Sequence, residues 1–405
     1  MDEQGETSAT RNGRLILAVA VAALVLYQAL AIFRYVTTHQ ADGDPLFADF
    51  YAFWSFGRFL HAHPAEQIYD FKLLQSVQHT LTPGFHKFYP CVYPPTLLLF
   101  LGPLSLLGYL PAFAVWTAVG LIGFAMAVGA TERGARLPWL AVLAPTTILT
   151  IIFGQNGLIT AALLIGGFRL MEKRPWLAGV LLGLLSCKPQ IFVLVPLVLL
   201  AGRRWRPLAS ACLTVLALAA TSALVFGLDA WLAWLKAFPA FSRLVERDWS
   251  TLGWLMPTVT AGLRGAGVSP PVFTAIQLVV AAAVVAVLLA LFHRSRHRPA
   301  PGALDAAALQ VGLFLTSPYA FIYDMPMVSA AAVTLAIVRM APGQSWRPGE
   351  QVVALAAYCL PLIIFSEAFK AIPLGPIVLI AMFALLARAA WDVRAAWEVR
   401  ASDAP

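Results

Sequence analysis

Asp49 stands in Phe47-Ala48-Asp49-Phe50-Tyr51, a carboxylate flanked by aromatic residues. Near a low-dielectric boundary such a carboxylate has its ionised form disfavoured by desolvation, and its pKa moves toward neutrality. That suits a general base. The plainer reading of the same residue is a helix N-cap, where Asp is favoured. Downstream lie Ile68-Tyr69-Asp70 and Phe88-Tyr89-Pro90-Cys91-Val92-Tyr93-Pro94-Pro95. Consecutive prolines suit the first turn of a helix and not its interior, so 88–95 reads as an extended lead into a helix. Tyr93 then offers a hydroxyl to whatever occupies the loop, or serves only as an interfacial tyrosine, the reading preferred for Tyr89.

Polar islands interrupt the apolar runs that follow. They are Phe153-Gly154-Gln155-Asn156-Gly157, Ser186-Cys187-Lys188-Pro189-Gln190 and the segment from Thr316 to Pro326 with Asp324. Ionisable groups inside spans are costly and mark function by default. Lys188 is the only cation between Leu177 and Ala201, and the proline after it breaks the helix. Broken helices at membrane depth are tolerated where they are packed in protein or line a cavity. With no acid in that interval, the expected partner is a phosphate from a ligand, and the alternative is snorkelling to an interface. Asp324 is the only charge between Asp305 and Arg339. It either faces a cavity, holding sugar hydroxyls or orienting the base, or pairs with a cation from another helix.

The elements that carry these residues must be membrane helices. Of 405 residues, 60% are hydrophobic and 12% charged, and the mean hydropathy is +0.77. Soluble domains carry about 25% charged residues, so a soluble globule and a disordered chain are both excluded. The apolar runs have helix length and are apolar all round, unlike the alternating strands of an outer-membrane barrel. The reading is an all-α polytopic membrane protein of about 11–13 transmembrane helices, one domain over 1–405. It comprises a first helix at 15–36, an outer loop at 37–95, helices over 96–228, a second outer loop at 229–270, helices over 271–390 and a cytoplasmic tail at 391–405. The run at 15–36 is too long for a signal-peptide core and lacks a cleavage site. The aromatic stretches 48–62 and 230–245 read as interfacial helices in the outer loops, either as a platform for a lipid-linked substrate or as plain anchors.

The net charge of +8 comes in short clusters between apolar runs, at 203–206, 294–298 and 388–400. That is the positive-inside pattern and not a nucleic-acid surface. It places the N-terminus in the cytoplasm and 37–95 outside. Taking every apolar run as a span, however, puts Arg133, Arg136, Lys173 and Arg174 outside as well, against the rule, and the short runs 96–109 and 176–187 are the suspected cause. The four cysteines are isolated, and His61, His63, His79 and His86 lack a metal-ligand spacing, so no metal and no cofactor is expected.

Taken in order, the Asp-Phe loop helix, Tyr-Asp, Tyr-Pro-Pro, Gly-Gln-Asn, Ala178-Gly179 with Gly183, Lys-Pro-Gln and Ser-Pro resemble glycosyltransferase family 87. These are polytopic enzymes of the GT-C type that include polyprenol-phosphate-mannose-dependent α-mannosyltransferases, and the likeness runs from about 45 to 330. The resemblance implies a polyprenyl-phosphate sugar donor, with mannose as the sugar, and a glycolipid or glycan acceptor. It implies an active site on the outer face of the plasma membrane, with Asp49 as the base. Donor and acceptor contacts then fall to Lys188, Gln190, Gln155, Asn156, Tyr93, Asp324, Tyr51 and Asp70. Many members follow the Ser-Pro with a tryptophan and paired histidines, whereas here Tyr-Ala-Phe-Ile-Tyr-Asp stands in that place. The alternative function is a transporter or flippase of a lipid-linked sugar. It predicts internal repeats with paired broken helices, which the sequence lacks.

Overall fold

The structure, a computed structural model, describes residues 30, 37, 46–84, 87–129, 138–298, 300–364 and 372–402. The expected first helix at 15–36, apart from residue 30, and the arginines at 11, 14, 133 and 136 lie outside the described residues. Among the described residues there are helices and no strand. In chain order they are α1 (Ala48–Phe59), α2 (Phe71–Leu81), α3 (Pro95–Leu104), α4 (Tyr109–Gly129), α5 (Pro138–Val142), α6 (Pro145–Phe153), α7 (Gly157–Leu170), α8 (Pro175–Leu184), α9 (Pro189–Phe192) and α10 (Leu194–Ala201). Then come α11 (Trp205–Phe226), α12 (Leu228–Arg247), α13 (Trp249–Leu252), α14 (Val259–Gly265), α15 (Pro270–Arg294), α16 (Ala303–Thr316), α17 (Pro326–Arg339), α18 (Glu350–Tyr358), α19 (Leu360–Ile364) and α20 (Leu374–Ser402). The stretch 391–405, expected as a tail, is helical as far as Ser402.

Four helices are individually long and apolar enough to cross a membrane: α4, α11, α15 and α20 through Asp392. They stand at the periphery. Only 17% of the apolar window of α11 is buried by protein, which leaves lipid as the solvent for the rest. The shorter apolar helices fill the interior. α16 is buried from Leu304 to Leu315, and α17 is buried over most of its length. Helices of fourteen residues reach about 21 Å, short of a 30 Å hydrocarbon core, and so their ends open into polar turns inside the protein. Proline sets where those ends fall: α3, α6, α8, α9, α15 and α17 all carry it in the first turn, where a missing N–H costs nothing.

The run 96–109, one of the two short runs in doubt, does not form one continuous helix. α3 is only ten residues long and contains Pro103. Beyond it Trp54 Nε1 donates to the Leu107 carbonyl at 3.0 Å, and the Tyr109 hydroxyl donates to the carbonyls of Leu46 and Phe47. α4 therefore starts beside α1. It runs parallel to α7, with Gly120 against Leu158 and Gly123 against Ala162. After α6 and α7, Lys173 and Arg174 reach the end of the bundle that holds the other described basic clusters. That end is tied by arginine. Arg204 donates to the carbonyls of Ser295 (2.6 Å) and Arg298, Arg339 and Arg388 both meet Glu350 (2.8 and 2.6 Å), and Arg347 meets Asp392 (2.7 Å).

At the other end lies an aromatic layer. Phe50, Phe53, Phe56 and Phe59 of α1 are fully buried against α3 and α4, with Phe47 stacked on Phe113 at 3.8 Å. Within the stretch 48–62 the helix is α1, and it is packed against α3 and α4. The stretch 230–245 falls within α12, which keeps Leu228, Leu232, Leu235 and Phe238 exposed along its outer side.

Candidate functional site

The turn between α6 and α7 is the hub of the aromatic end. α6 stops at Gly154, whose φ of 74° lies in the left-handed region, and the Gln155 N–H closes the helix end onto the Thr150 carbonyl at 3.0 Å. A Cβ on Gly154 would lie 2.4 Å from Phe50 Cβ, and one on Gly157 would lie 1.8 Å from the Tyr323 carbonyl oxygen. Both glycines are therefore required. The first lets α1 approach, and the second lets the 322–324 turn approach. Gln155 and Asn156 are held between the two.

Asp49 is the second residue of α1. The residue before that helix is Phe47 in a left-handed conformation, and no side chain caps the end, so the N-cap reading of Asp49 fails. Its carboxylate instead accepts a hydrogen bond from Gln155 Nε2 at 3.0 Å. Burial pushes its pKa up to about 6, against a smaller lowering by Gln155. Tyr93 and Tyr323 lie close enough to feel its charge, and burial raises both phenols well above their ordinary value. They remain protonated wherever Asp49 titrates.

Lys188 precedes Pro189, and a residue before proline is driven from helical geometry. Its φ of −130° and ψ of 80° break the helix between α8 and α9. The side chain is 3% exposed, which excludes snorkelling. Nζ donates to Asn156 Oδ1 at 2.9 Å and to Asp324 Oδ1 at 2.5 Å. The anion sought in a ligand is thus supplied by the protein, and of the two readings of Asp324 the pairing one holds. The Tyr323 ring lies 5.4 Å from Nζ, and the Asn156 side chain lies near the Tyr93 phenol.

The remaining sequence candidates divide. Gln190 is exposed, and with Ser317 and Asp324 it borders a small crevice beside the pair. Tyr51 donates its buried hydroxyl to the Gln78 carbonyl at 2.6 Å. Asp70 caps α2 by accepting from the N–H groups of Lys72 (3.0 Å) and Leu73 (3.3 Å). These two residues fasten the outer segment and do not reach the hub. Sequence reasoning passed over Tyr323, although it stands beside Asp324 in the same island. It also passed over Thr150, whose hydroxyl donates to the carbonyls of Thr146 (2.8 Å) and Tyr323 (2.7 Å) and which no local pattern marks. Among the described residues no group of three or more His, Cys, Asp and Glu side chains could hold a metal ion.

The arrangement offers a half-buried carboxylate with proton affinity near neutrality. Around the same turn, reached through Asn156, lie a buried ammonium with two of its three donors used, and two protonated phenols. That set can take a proton from a hydroxyl and steady an anion next to it. In comparison with known proteins, the sequence matches the model of Glycosyltransferase family 87 over residues 92–318. The match includes Tyr93, Gln155, Asn156 and Lys188 and stops short of Asp49 and Asp324. No curated protein and no solved structure matches the chain.

Proposed function

Because the chain belongs to glycosyltransferase family 87 and is thereby a membrane glycosyltransferase, we propose that it transfers a hexose, mannose in our reading, from a polyprenyl-phosphate donor to a lipid-linked or glycan acceptor. The observation that carries this is Asp49: a half-buried carboxylate with one hydrogen bond among the described residues and a pKa raised to about 6, at the end of the bundle away from the arginines. Asp49 takes the proton of the acceptor hydroxyl as its oxygen attacks the anomeric carbon. The bond from that carbon to the phosphate oxygen breaks, its electron pair leaves with the lipid phosphate, and the single displacement inverts the centre through an oxocarbenium-like state. An ammonium has three donors. Asn156 and Asp324 take two of those on Lys188, and the third faces the charge that grows on the leaving phosphate.

The positive-inside rule sets the orientation. With the arginine end in the cytoplasm, the site opens on the outer face of the plasma membrane, where the donor carries its sugar. A Pro64→Cys variant, at an exposed outer-loop position, is expected to react with a membrane-impermeant maleimide on intact cells. Reaction only after lysis would reverse the orientation. The activity test is transfer by purified protein in nanodiscs, with a radiolabelled polyprenyl-phosphate mannose as one donor and a nucleotide-linked mannose as the other. Transfer from the lipid donor alone is expected. Use of the nucleotide donor alone would overturn the proposal.

A further inference from the structure

We infer that Gln155 is the positioning residue of Asp49, selecting which carboxylate oxygen acts as the base and joining that base to the Lys188–Asp324 pair. The inference rests on the proposed role of Asp49 and adds to it a residue that sequence reasoning had placed among the substrate contacts. Among the described residues the Gln155 amide is the one hydrogen-bond partner of the Asp49 side chain, through Nε2 to Oδ2 at 3.0 Å. Oδ1 is left free for the incoming hydroxyl. The other end of the amide is Oε1, which is buried with no hydrogen-bond partner among the described residues. Gln155 borders a crevice of about 10 Å³ together with Trp116, Thr117, Thr150, Leu158 and Ile159, only about the volume of a single water. A buried acceptor left unpaired costs stability. A glutamine kept for packing would be better replaced by an apolar side chain, so its worth lies in the end that touches Asp49.

The backbone supports the same assignment. Gln155 N–H is fixed on the Thr150 carbonyl, and Thr150 is fixed on the Tyr323 carbonyl. Gly154 sits against Phe50, the residue after Asp49. The next residue, Asn156, receives Lys188 Nζ. One peptide unit thus registers the base against the buried pair, and displacing the donor phosphate contact or the base moves the other.

The test is the pH dependence of kcat/KM, with Gln155→Leu compared with the wild-type protein in nanodiscs. The groups that face Asp49 are Gln155 from the α6–α7 turn, Tyr93 from the lead into α3, and Tyr323 and Asp324 from the 322–324 turn. Both tyrosines stay protonated in this range, and Asp324 is tied to Lys188. Asp49 must be ionised to act, so kcat/KM rises as pH passes its pKa. The amide favours the ionised form, so its loss moves that rise upward. Gln155→Leu is expected to shift the acid limb up by about one pH unit, to lower kcat about tenfold at pH 6 with partial recovery by pH 8, and to leave KM within about twofold. Its thermal midpoint is expected to change little, since the orphaned Oε1 is removed while the Asp49 carboxylate loses its hydrogen bond. Gln155→Glu, which places two carboxylates together, is expected to shift the limb further in the same direction. An unshifted limb with a raised KM would return Gln155 to substrate binding and overturn the inference. A lowered thermal midpoint with an unshifted limb would assign it to the fold and overturn it likewise. A fully active Asp49→Asn protein would remove the base itself. An inactive Asp49→Asn beside an unshifted Gln155→Leu would remove only the inference about Gln155.

Discussion

Asp49 and Glu350 are both carboxylates of the helix bundle, at opposite ends, and the protein completes them to different degrees. Glu350 is 1% exposed and accepts from Arg339 (2.8 Å), Arg388 (2.6 Å) and the backbone N–H of Arg347 (3.1 Å). Its lone pairs are occupied, and it pins α17, α18 and α20 together. Among the described residues Asp49 has one neutral amide and no cation on it. Asp324 stands between these cases, with a single ammonium that it shares with Asn156. The contrast separates anchoring from chemistry. A buried acid that is fully satisfied adds rigidity, whereas one left short of donors keeps an affinity for protons near pH 6 that a reaction can use.

The largest effects should come from breaking either buried pair on one side. Asp324→Ala strands Lys188 and Glu350→Ala strands Arg339, and each is expected to cost about 3–5 kcal/mol, read as a fall in the thermal unfolding midpoint in detergent. The two pairs should then part company. In the double variant Lys188→Met with Asp324→Leu, an apolar pair of similar volume restores most of the stability while turnover stays lost. A double variant with normal turnover would mean that the pair only holds the fold. Gly157→Ala comes next. Its Cβ would lie 1.8 Å from the Tyr323 carbonyl oxygen, and relieving that overlap should cost about 1–3 kcal/mol. Because the 322–324 turn must move, turnover should fall by more than the folded fraction does. The smallest effect is expected at Asp70→Ala, which removes a cap worth about 1 kcal/mol and should leave turnover per folded molecule unchanged.

The sequence exposed the hub better than it exposed the scaffold. Lys-Pro announced a broken helix around a buried cation, and Gly-Gln-Asn-Gly announced a polar turn, because proline and glycine act locally whatever the fold. The partner of Lys188 could not be read. Asp324 lies 136 residues away, and only packing brings α17 to the break between α8 and α9. The run at 96–109 was ambiguous for a related reason: a short apolar run looks the same whether it crosses lipid or lies against an aromatic helix, as α3 does against α1. Tyr51 and Asp70 had the right chemistry for a site, and their tertiary contacts put them to fastening and capping. The N-cap reading of Asp49 was reasonable by propensity and was undone by the left-handed Phe47 before it.

The central claim is that Asp49 is the base, and Asp49→Asn tests it most directly. Asparagine keeps the size and can still receive the Gln155 amide, but it cannot take a proton. The folded pKa near 6 exceeds the ordinary value of 3.8. Burial of the ionised form therefore lowers stability above that range, and the variant should unfold at the same temperature as wild type or higher at pH 7.5, with the difference vanishing near pH 4. Transfer from a polyprenyl-phosphate sugar in nanodiscs should fall by about a hundredfold or more, while wild-type kcat/KM rises through pH 6 and levels above it. A well-folded Asp49→Asn protein with near-normal turnover would contradict the account.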